Sequence, residues 1–160
     1  MSRPFLSATF WSTLALAFLL AFWPLRGEAA AWRPLFPFMA VIFWLLVEPE
    51  VLDVGFAWLV GLAFDLLGGW VLGQHALALA VCGYLLLSLR AWIANFGFLH
   101  LVAVVALLGI VHQLVVATVA ALAGRAVPLP EFFYPVITSA LLWPAAAALA
   151  WRCYRPETEL

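Results

Sequence analysis

The side chains most able to do chemistry lie in one glycine-rich stretch, residues 61–80, with the sequence GLAFDLLGGWVLGQHALALA. It supplies a carboxylate from Asp65, an amide from Gln74 and an imidazole from His75. In apolar surroundings a carboxylate must be paired, protonated or in contact with water. It can therefore belong to an ion or substrate site, or hold two helices together by hydrogen bonds. For His75 the alternatives are a proton relay or ligand, and a polar cap at an interface.

The glycines near Asp65 favour the structural alternative. Gly61 precedes Asp65 by four residues and Gly68 follows it by three, so in a helix all three lie within about 60° of one another. Small residues on one stripe allow a second helix backbone to approach closely. We therefore predict a helix-packing face on which Asp65 hydrogen-bonds to a neighbouring helix, with an ion or substrate site as the alternative.

A turn is predicted directly after this face. Gly68, Gly69 and Gly73 loosen the helix and permit positive φ angles. Gln74 and His75 would then begin the next helix. The candidate motif for helix packing or partner binding comprises six residues: Gly61, Asp65, Gly68, Gly73, Gln74 and His75.

The remaining potential ligands predict no metal site and no cofactor. His100 and His112 are 12 residues apart, about 120° around a helix, so they do not converge on one face. Cys82 and Cys153 lie in separate apolar stretches, a spacing typical neither of a metal site nor of a disulfide framework.

The sequence contains few of the residue patterns that known classes of enzyme require. Lysine is absent, which excludes a Ser–Lys pair and a phosphate loop with its lysine, and no Gly-x-Ser-x-Gly occurs. Asp53 is 12 residues from Asp65, about 18 Å along a helix, which is too far for a two-carboxylate site. The net charge of −1 offers no basic surface for nucleic acid. We predict a protein that is not an enzyme.

The elements that must position these residues are membrane helices. Of 160 residues 68% are apolar and 9% charged, whereas soluble domains carry about a quarter charged residues. A span needs about 20 apolar residues. The charges divide the chain into six spans that form one transmembrane domain, residues 1–160: 5–25, 29–47, 54–71, 75–92, 98–123 and 132–151.

Two spans are irregular in sequence. In the second, only 14 uncharged residues separate Arg33 from Glu48, so we expect the span to begin near residue 29 with Arg33 reaching towards the membrane surface, or to insert only in part. In the sixth, Pro144 predicts a kink.

The arginines orient the bundle. With six spans, four lie on one side and three on the other, which favours a cytoplasmic location for both termini. The group of four, on the predicted cytoplasmic side, comprises Arg3, Arg90, Arg152 and Arg155. The group of three comprises Arg26, Arg33 and Arg125.

The stretch GLAFDLL at residues 61–67 and its continuation to LGQHAL at 72–77 resemble the bacterial rod shape-determining protein MreD family. Arg33-Pro34 and Pro49 occupy matching positions before this core, so the resemblance covers residues 33–80. It implies a non-catalytic inner-membrane scaffold of the cell-elongation machinery, the elongasome, which binds MreC and supports rod shape and peptidoglycan synthesis. RodA, a class B penicillin-binding protein and MreB are the implied indirect partners.

The resemblance also implies a fold, a six-helix bundle similar to the substrate-binding S-components of energy-coupling-factor transporters. This similarity supplies the alternative function, a substrate-binding membrane subunit of a vitamin-like transporter with a pocket near Asp65, His75 and His112. Such pockets need several polar groups on rigid walls. Polar side chains are few here, which favours the scaffold. The sequence leaves the stoichiometry open, including a homo-oligomer.

Overall fold

The computed structural model describes residues 8–93, 97–125 and 129–153, and these residues form helices and no strands. The all-helical prediction is therefore confirmed for this part of the chain. The seven helices described are α1 (Ala8–Ala21), α2 (Glu28–Ala31), α3 (Phe36–Val47), α4 (Val54–Gly68), α5 (Gln74–Ile93), α6 (Phe98–Leu122) and α7 (Leu129–Cys153).

Length and hydropathy indicate a multi-pass membrane protein. Within the described ranges four segments are long and apolar enough to cross a bilayer: Glu28–Val47, Gln74–Ile93, His100–Leu122 and Phe132–Cys153. Helices α1 and α4 are apolar but have only 14 and 15 residues. They reach roughly 21 and 22 Å, less than the ~30 Å of the hydrocarbon core. Six complete crossings by a single domain therefore stay a prediction.

Prolines and glycines account for the differences from the predicted spans. The second predicted span, 29–47, consists of the single turn α2 and the longer α3, because Pro34 lacks a backbone donor and disfavours helix in the residue before it. The third ends at Gly68 rather than residue 71, because Gly69 adopts a left-handed conformation with φ 64°. Residues 5–7 of the first predicted span lie outside the described part.

Helix α3 is the centre of the bundle. It contacts α1, α4, α5 and α7, and eight of its 12 residues are buried. Trp44 is fully buried, and its indole nitrogen donates a 2.9 Å hydrogen bond to Oγ1 of Thr13 on α1. At the start of α3 the Leu35 amide donates to Oγ of Ser139 on α7 at 2.7 Å. Helix α7 continues as one helix through Pro144, where a kink was predicted.

The helices α4, α5, α6 and α7 pack against one another in chain order, and the contact between α4 and α5 is the most extensive in the bundle. An exposed ion pair of 2.7 Å joins Arg90 in the last turn of α5 to Glu50 before α4. Arg90 and Glu50 thus lie at one end of the bundle, and the connection between α4 and α5, residues 69–73, lies at the other.

Candidate functional site

Asp65 lies in the last turn of α4 with 1% of its surface exposed. Asp65 is therefore enclosed by the protein. It lies near the end of its helix, because α4 ends three residues later at Gly68 and not at residue 71 as predicted. Asp65 therefore sits beside the connection to α5.

The carboxylate of Asp65 is surrounded by donors from the start of α5. Oδ2 accepts hydrogen bonds from the amides of Gly73 at 3.0 Å, His75 at 3.1 Å and Ala76 at 3.2 Å. Oδ1 accepts from the His75 amide at 3.1 Å and lies 2.7 Å from Nδ1 of the same residue. Since a carboxylate oxygen accepts, Nδ1 of His75 is the donor in this pair.

This arrangement is a helix cap supplied by another helix. The first four amides of a helix have no partner within it, and the positive end of the helix dipole lies there. Asp65 satisfies two of these amides in α5 and brings a negative charge to the same point. Its backbone carbonyl also accepts from the amides of Gly69 and Trp70, so one residue organises both helix ends.

The glycines of the motif have separate roles. A Cβ on Gly61 would lie 2.5 Å from the Ala76 Cα and the His75 carbonyl oxygen, so only glycine permits α4 and α5 to approach this closely. A Cβ on Gly68 would collide with the indole of Trp70 instead. Gly73 adopts a φ of 90°, a conformation that favours glycine.

Gln74 is the first residue of α5 and is 5% exposed. The structure therefore brings Gly61, Asp65, Gly73, Gln74 and His75 together at the junction of α4 and α5, with Gly68 beside them against Trp70. The neighbour that meets this face is α5 of the same chain.

A cavity of about 230 Å³ lies next to this junction. It brings His75 and His112 together, with ring centroids 5.9 Å apart, although they stand on different helices. Arg33 and Gln113 line it as well, and the sequence analysis attached no ligand role to either. In the sequence, Arg33 is a charge next to an apolar segment, and Gln113 follows His112 in the middle of a predicted span. Neither pattern by itself indicates a ligand site.

A second surface feature is an apolar groove of about 650 Å³ between α1 and α7, floored by α3. It extends from Ala8 to Leu20 on α1 and from Leu142 to Cys153 on α7, about 18 and 16 Å along the helix axes. Trp143 lies on this wall with 1% exposure, and its indole N–H has no hydrogen-bond partner within the described residues.

Neither a pair of carboxylates nor a cluster of metal ligands is found at Asp65 among the described residues. Asp65 is held by four donors and has no second carboxylate beside it that could share a proton. In the described ranges no three His, Cys, Asp or Glu side chains come together as metal ligands would.

Comparison with protein families matches residues 2–151 to the family described as rod shape-determining protein MreD. The chain belongs to the MreD family. Membership supports a role in determining rod shape.

A curated relative carries the same description. The rod shape-determining protein MreD of Haemophilus influenzae (strain ATCC 51907 / DSM 11121 / KW20 / Rd) is 30% identical over 82 residues, which are 48% of this chain. The match spans about half, 49%, of the relative's length. No solved structure matches the chain.

Proposed function

We propose that this MreD family protein is a non-catalytic scaffold in the bacterial inner membrane that binds MreC and thereby supports rod shape and peptidoglycan synthesis. RodA, a class B penicillin-binding protein and MreB are its indirect partners through MreC. The observation that carries the proposal is the groove between α1 and α7. Its occupant is the single transmembrane helix of MreC.

The lining of the groove suits a helix. Its α7 wall carries Ala145, Ala146, Ala147 and Ala150, and its α1 wall includes Ala8, Ser12 and Ala17. Small side chains let two helix backbones come close, and close packing is the main attraction between helices in lipid. A groove about 16–18 Å long matches three turns of helix.

The motif around Asp65 acts on this interface indirectly, by holding α4 to α5 and so fixing the bundle that carries α3. Asp65→Ala therefore lowers assembly with MreC. Co-purification of the variant with MreC at wild-type yield would count against this role.

The topology that accompanies the proposal is six crossings with both termini in the cytoplasm, in a bundle similar to the S-components of energy-coupling-factor transporters. Its support is the ion pair between Arg90 and Glu50 at one end of the bundle, since in a six-span topology the loop after the second span, which contains Glu50, lies on the same side of the membrane as the end of the fourth span. The Asp65 junction and the cavity beside it then face the extracytoplasmic side.

The test is Ala145→Trp, because Ala145 is exposed and lines the groove, so an indole there fills the groove without entering the core. The matched control is Leu141→Trp, on the same helix but outside the groove and 76% exposed. Overpacking of about 1–3 kcal/mol corresponds to a loss of MreC affinity of roughly 5- to 150-fold. Both variants should keep the wild-type melting temperature in detergent.

The assay is capture of tagged MreC from solubilised membranes, and it distinguishes MreC from a second copy of this chain as the occupant of the groove. The proposal expects strong loss with Ala145→Trp and none with Leu141→Trp. Equal capture by both variants refutes it. A change in the mass of the detergent-solubilised protein that is specific to Ala145→Trp, with MreC capture intact, would assign the groove to a second copy of this chain.

The alternative function, a substrate-binding subunit of a small-molecule transporter, is favoured by the cavity beside His75 and His112. Uptake assays with the gene deleted distinguish it from the scaffold. A scaffold predicts loss of rod shape with unchanged uptake of vitamins.

A further inference from the structure

The cavity beside the Asp65 junction is bordered by the ends of several helices. Ala21 ends α1, Arg33 and Pro34 precede α3, and Trp70 and His75 flank the start of α5. Because Phe22, Ala30 and Trp70 in its lining are exposed, its mouth is at the surface near one end of the bundle. Its position gives access both to lipid headgroups and to water.

His112 is a polar side chain that the fold buries in this cavity and satisfies only in part, through a hydrogen bond with the Gln113 side chain. It is 3% exposed, and its Nδ1 has no hydrogen-bond partner among the described residues. A buried polar atom without a partner costs free energy. His112 also lies against the ring of Phe38, with centroids 5.4 Å apart, so the wall behind it is apolar.

Arg33 provides a fixed positive charge at the same cavity. Its two terminal nitrogens donate to backbone carbonyls, Nη1 to Ala21 at 2.6 Å and Nη2 to Trp23 at 2.8 Å. These bonds hold the guanidinium in place, and its buried Nε is left without a partner in the described part of the chain. An arginine stays charged in all protein environments, so the cavity keeps a cation.

The charge of Arg33 is not neutralised from within the cavity. None of the described residues that line it is acidic. Asp65 is not among them, and both of its oxygens are occupied by amides and by His75. A fixed cation with an unpartnered N–H at Nε, and no carboxylate in the described lining, attract a negatively charged oxygen.

The size and walls limit what can enter. A volume of 230 Å³ equals roughly seven or eight waters at about 30 Å³ each. Phe38, Phe64 and Trp70 supply apolar walls beside the polar groups. We propose that this cavity is a binding site for a small oxyanion, the phosphate or carboxylate group of a lipid headgroup or of a soluble molecule. The site is independent of the scaffold role, since its residues are not those of the groove.

The first arm of the test uses soluble anions. The purified protein in phosphatidylcholine nanodiscs is dialysed to equilibrium against radiolabelled phosphate or radiolabelled acetate. We expect saturable binding of one anion per chain. Arg33→Gln and His112→Phe should each weaken it by about tenfold or more, the effect of losing one charge-assisted hydrogen bond. Arg90→Gln, an exposed arginine at the opposite end, is the control and should not change it.

The second arm uses lipid, in buffer without phosphate or acetate. Nanodiscs that contain phosphatidylglycerol should raise the melting temperature of the wild type above that in phosphatidylcholine alone, and His112→Phe should abolish this increase. Binding in the first arm assigns the site to soluble anions, and an effect in the second arm alone assigns it to lipid headgroups. No effect in either arm, or effects that persist in both cavity variants, overturns the proposal.

A structural role for His112 is measured on its variant without any ligand. His112→Phe keeps an aromatic ring but removes both ring nitrogens, and with them the hydrogen bond between the imidazole and the Gln113 side chain. Its melting temperature in phosphatidylcholine nanodiscs gives the cost of that bond, and the effect of phosphatidylglycerol on the variant is measured relative to this value. An increase with phosphatidylglycerol that persists in His112→Phe overturns the assignment of the imidazole to the ligand.

Discussion

The carboxylate of Asp65 should contribute strongly to the stability of the bundle, and Asp65→Ala removes it. The substitution leaves the amides of Gly73, His75 and Ala76, and Nδ1 of His75, without their acceptor. Polar contacts between membrane helices contribute about 0.6 kcal/mol each on average, and an unsatisfied buried donor costs about 1–3 kcal/mol. We expect the free energy of unfolding to fall by about 2–4 kcal/mol.

The measurement is unfolding of the purified protein in mixed micelles, with SDS as denaturant and circular dichroism as the signal. Asp65→Asn keeps one oxygen acceptor and should lose about half as much stability as Asp65→Ala. Glu50→Gln is the control. It removes a carboxylate from an ion pair whose side chains are 46% and 78% exposed, and exposed pairs contribute at most about 1 kcal/mol.

The result that refutes this reasoning is equality of the Asp65→Ala and Glu50→Gln variants. It would mean that water or another group replaces the carboxylate at the start of α5. An equal loss for Asp65→Asn and Asp65→Ala would show instead that the negative charge, rather than the number of acceptors, stabilises the junction.

Three further predictions concern the backbone and the topology. Gly61→Ala forces α4 away from the α5 backbone and should lower the free energy of unfolding by about 1–3 kcal/mol. The control is Gly97→Ala, which should have no such effect, because no atom of the described residues lies within 4 Å of the added Cβ. Equal effects of the two variants would contradict the close approach of α4 and α5. Gly73→Ala must hold a φ of 90° and should cost about 1–2 kcal/mol in the same assay, and a neutral result would show that the turn adopts another conformation. Alkaline phosphatase fused after Leu160 should be inactive, and activity would place the C-terminus outside the cytoplasm.

The sequence predicted the junction well because its determinants are local. A carboxylate, the glycines around it and the polar residues after the turn lie within 15 residues, so helix geometry alone relates them. The split of the second predicted span also follows from Pro34. The alternative function included a pocket near Asp65, His75 and His112, and the cavity is lined by both histidines but not by Asp65. The part of Arg33 in it could not be predicted, because Arg33 stands far from the histidines in sequence and only the packing of the helices brings them together.

The groove was missed for the same reason. The alanines of α7 are visible in the sequence, but nothing local says that they face α1 across a gap. The motif was predicted to pack helices or to bind a partner, and in the described structure α5 of the same chain meets it. Spacing within one helix identifies a packing face and does not identify which helix covers it.

Helix α4 is poorly suited to enter the bilayer alone during synthesis. It reaches roughly 22 Å and carries in its last turn a carboxylate that is costly to insert without partners, although less so than the about 2.5–3.5 kcal/mol at the centre of a span. Within the described residues, the donors that satisfy this carboxylate all come from residues 73–76, which leave the ribosome later. We therefore expect α4 to integrate together with α5, as a hairpin.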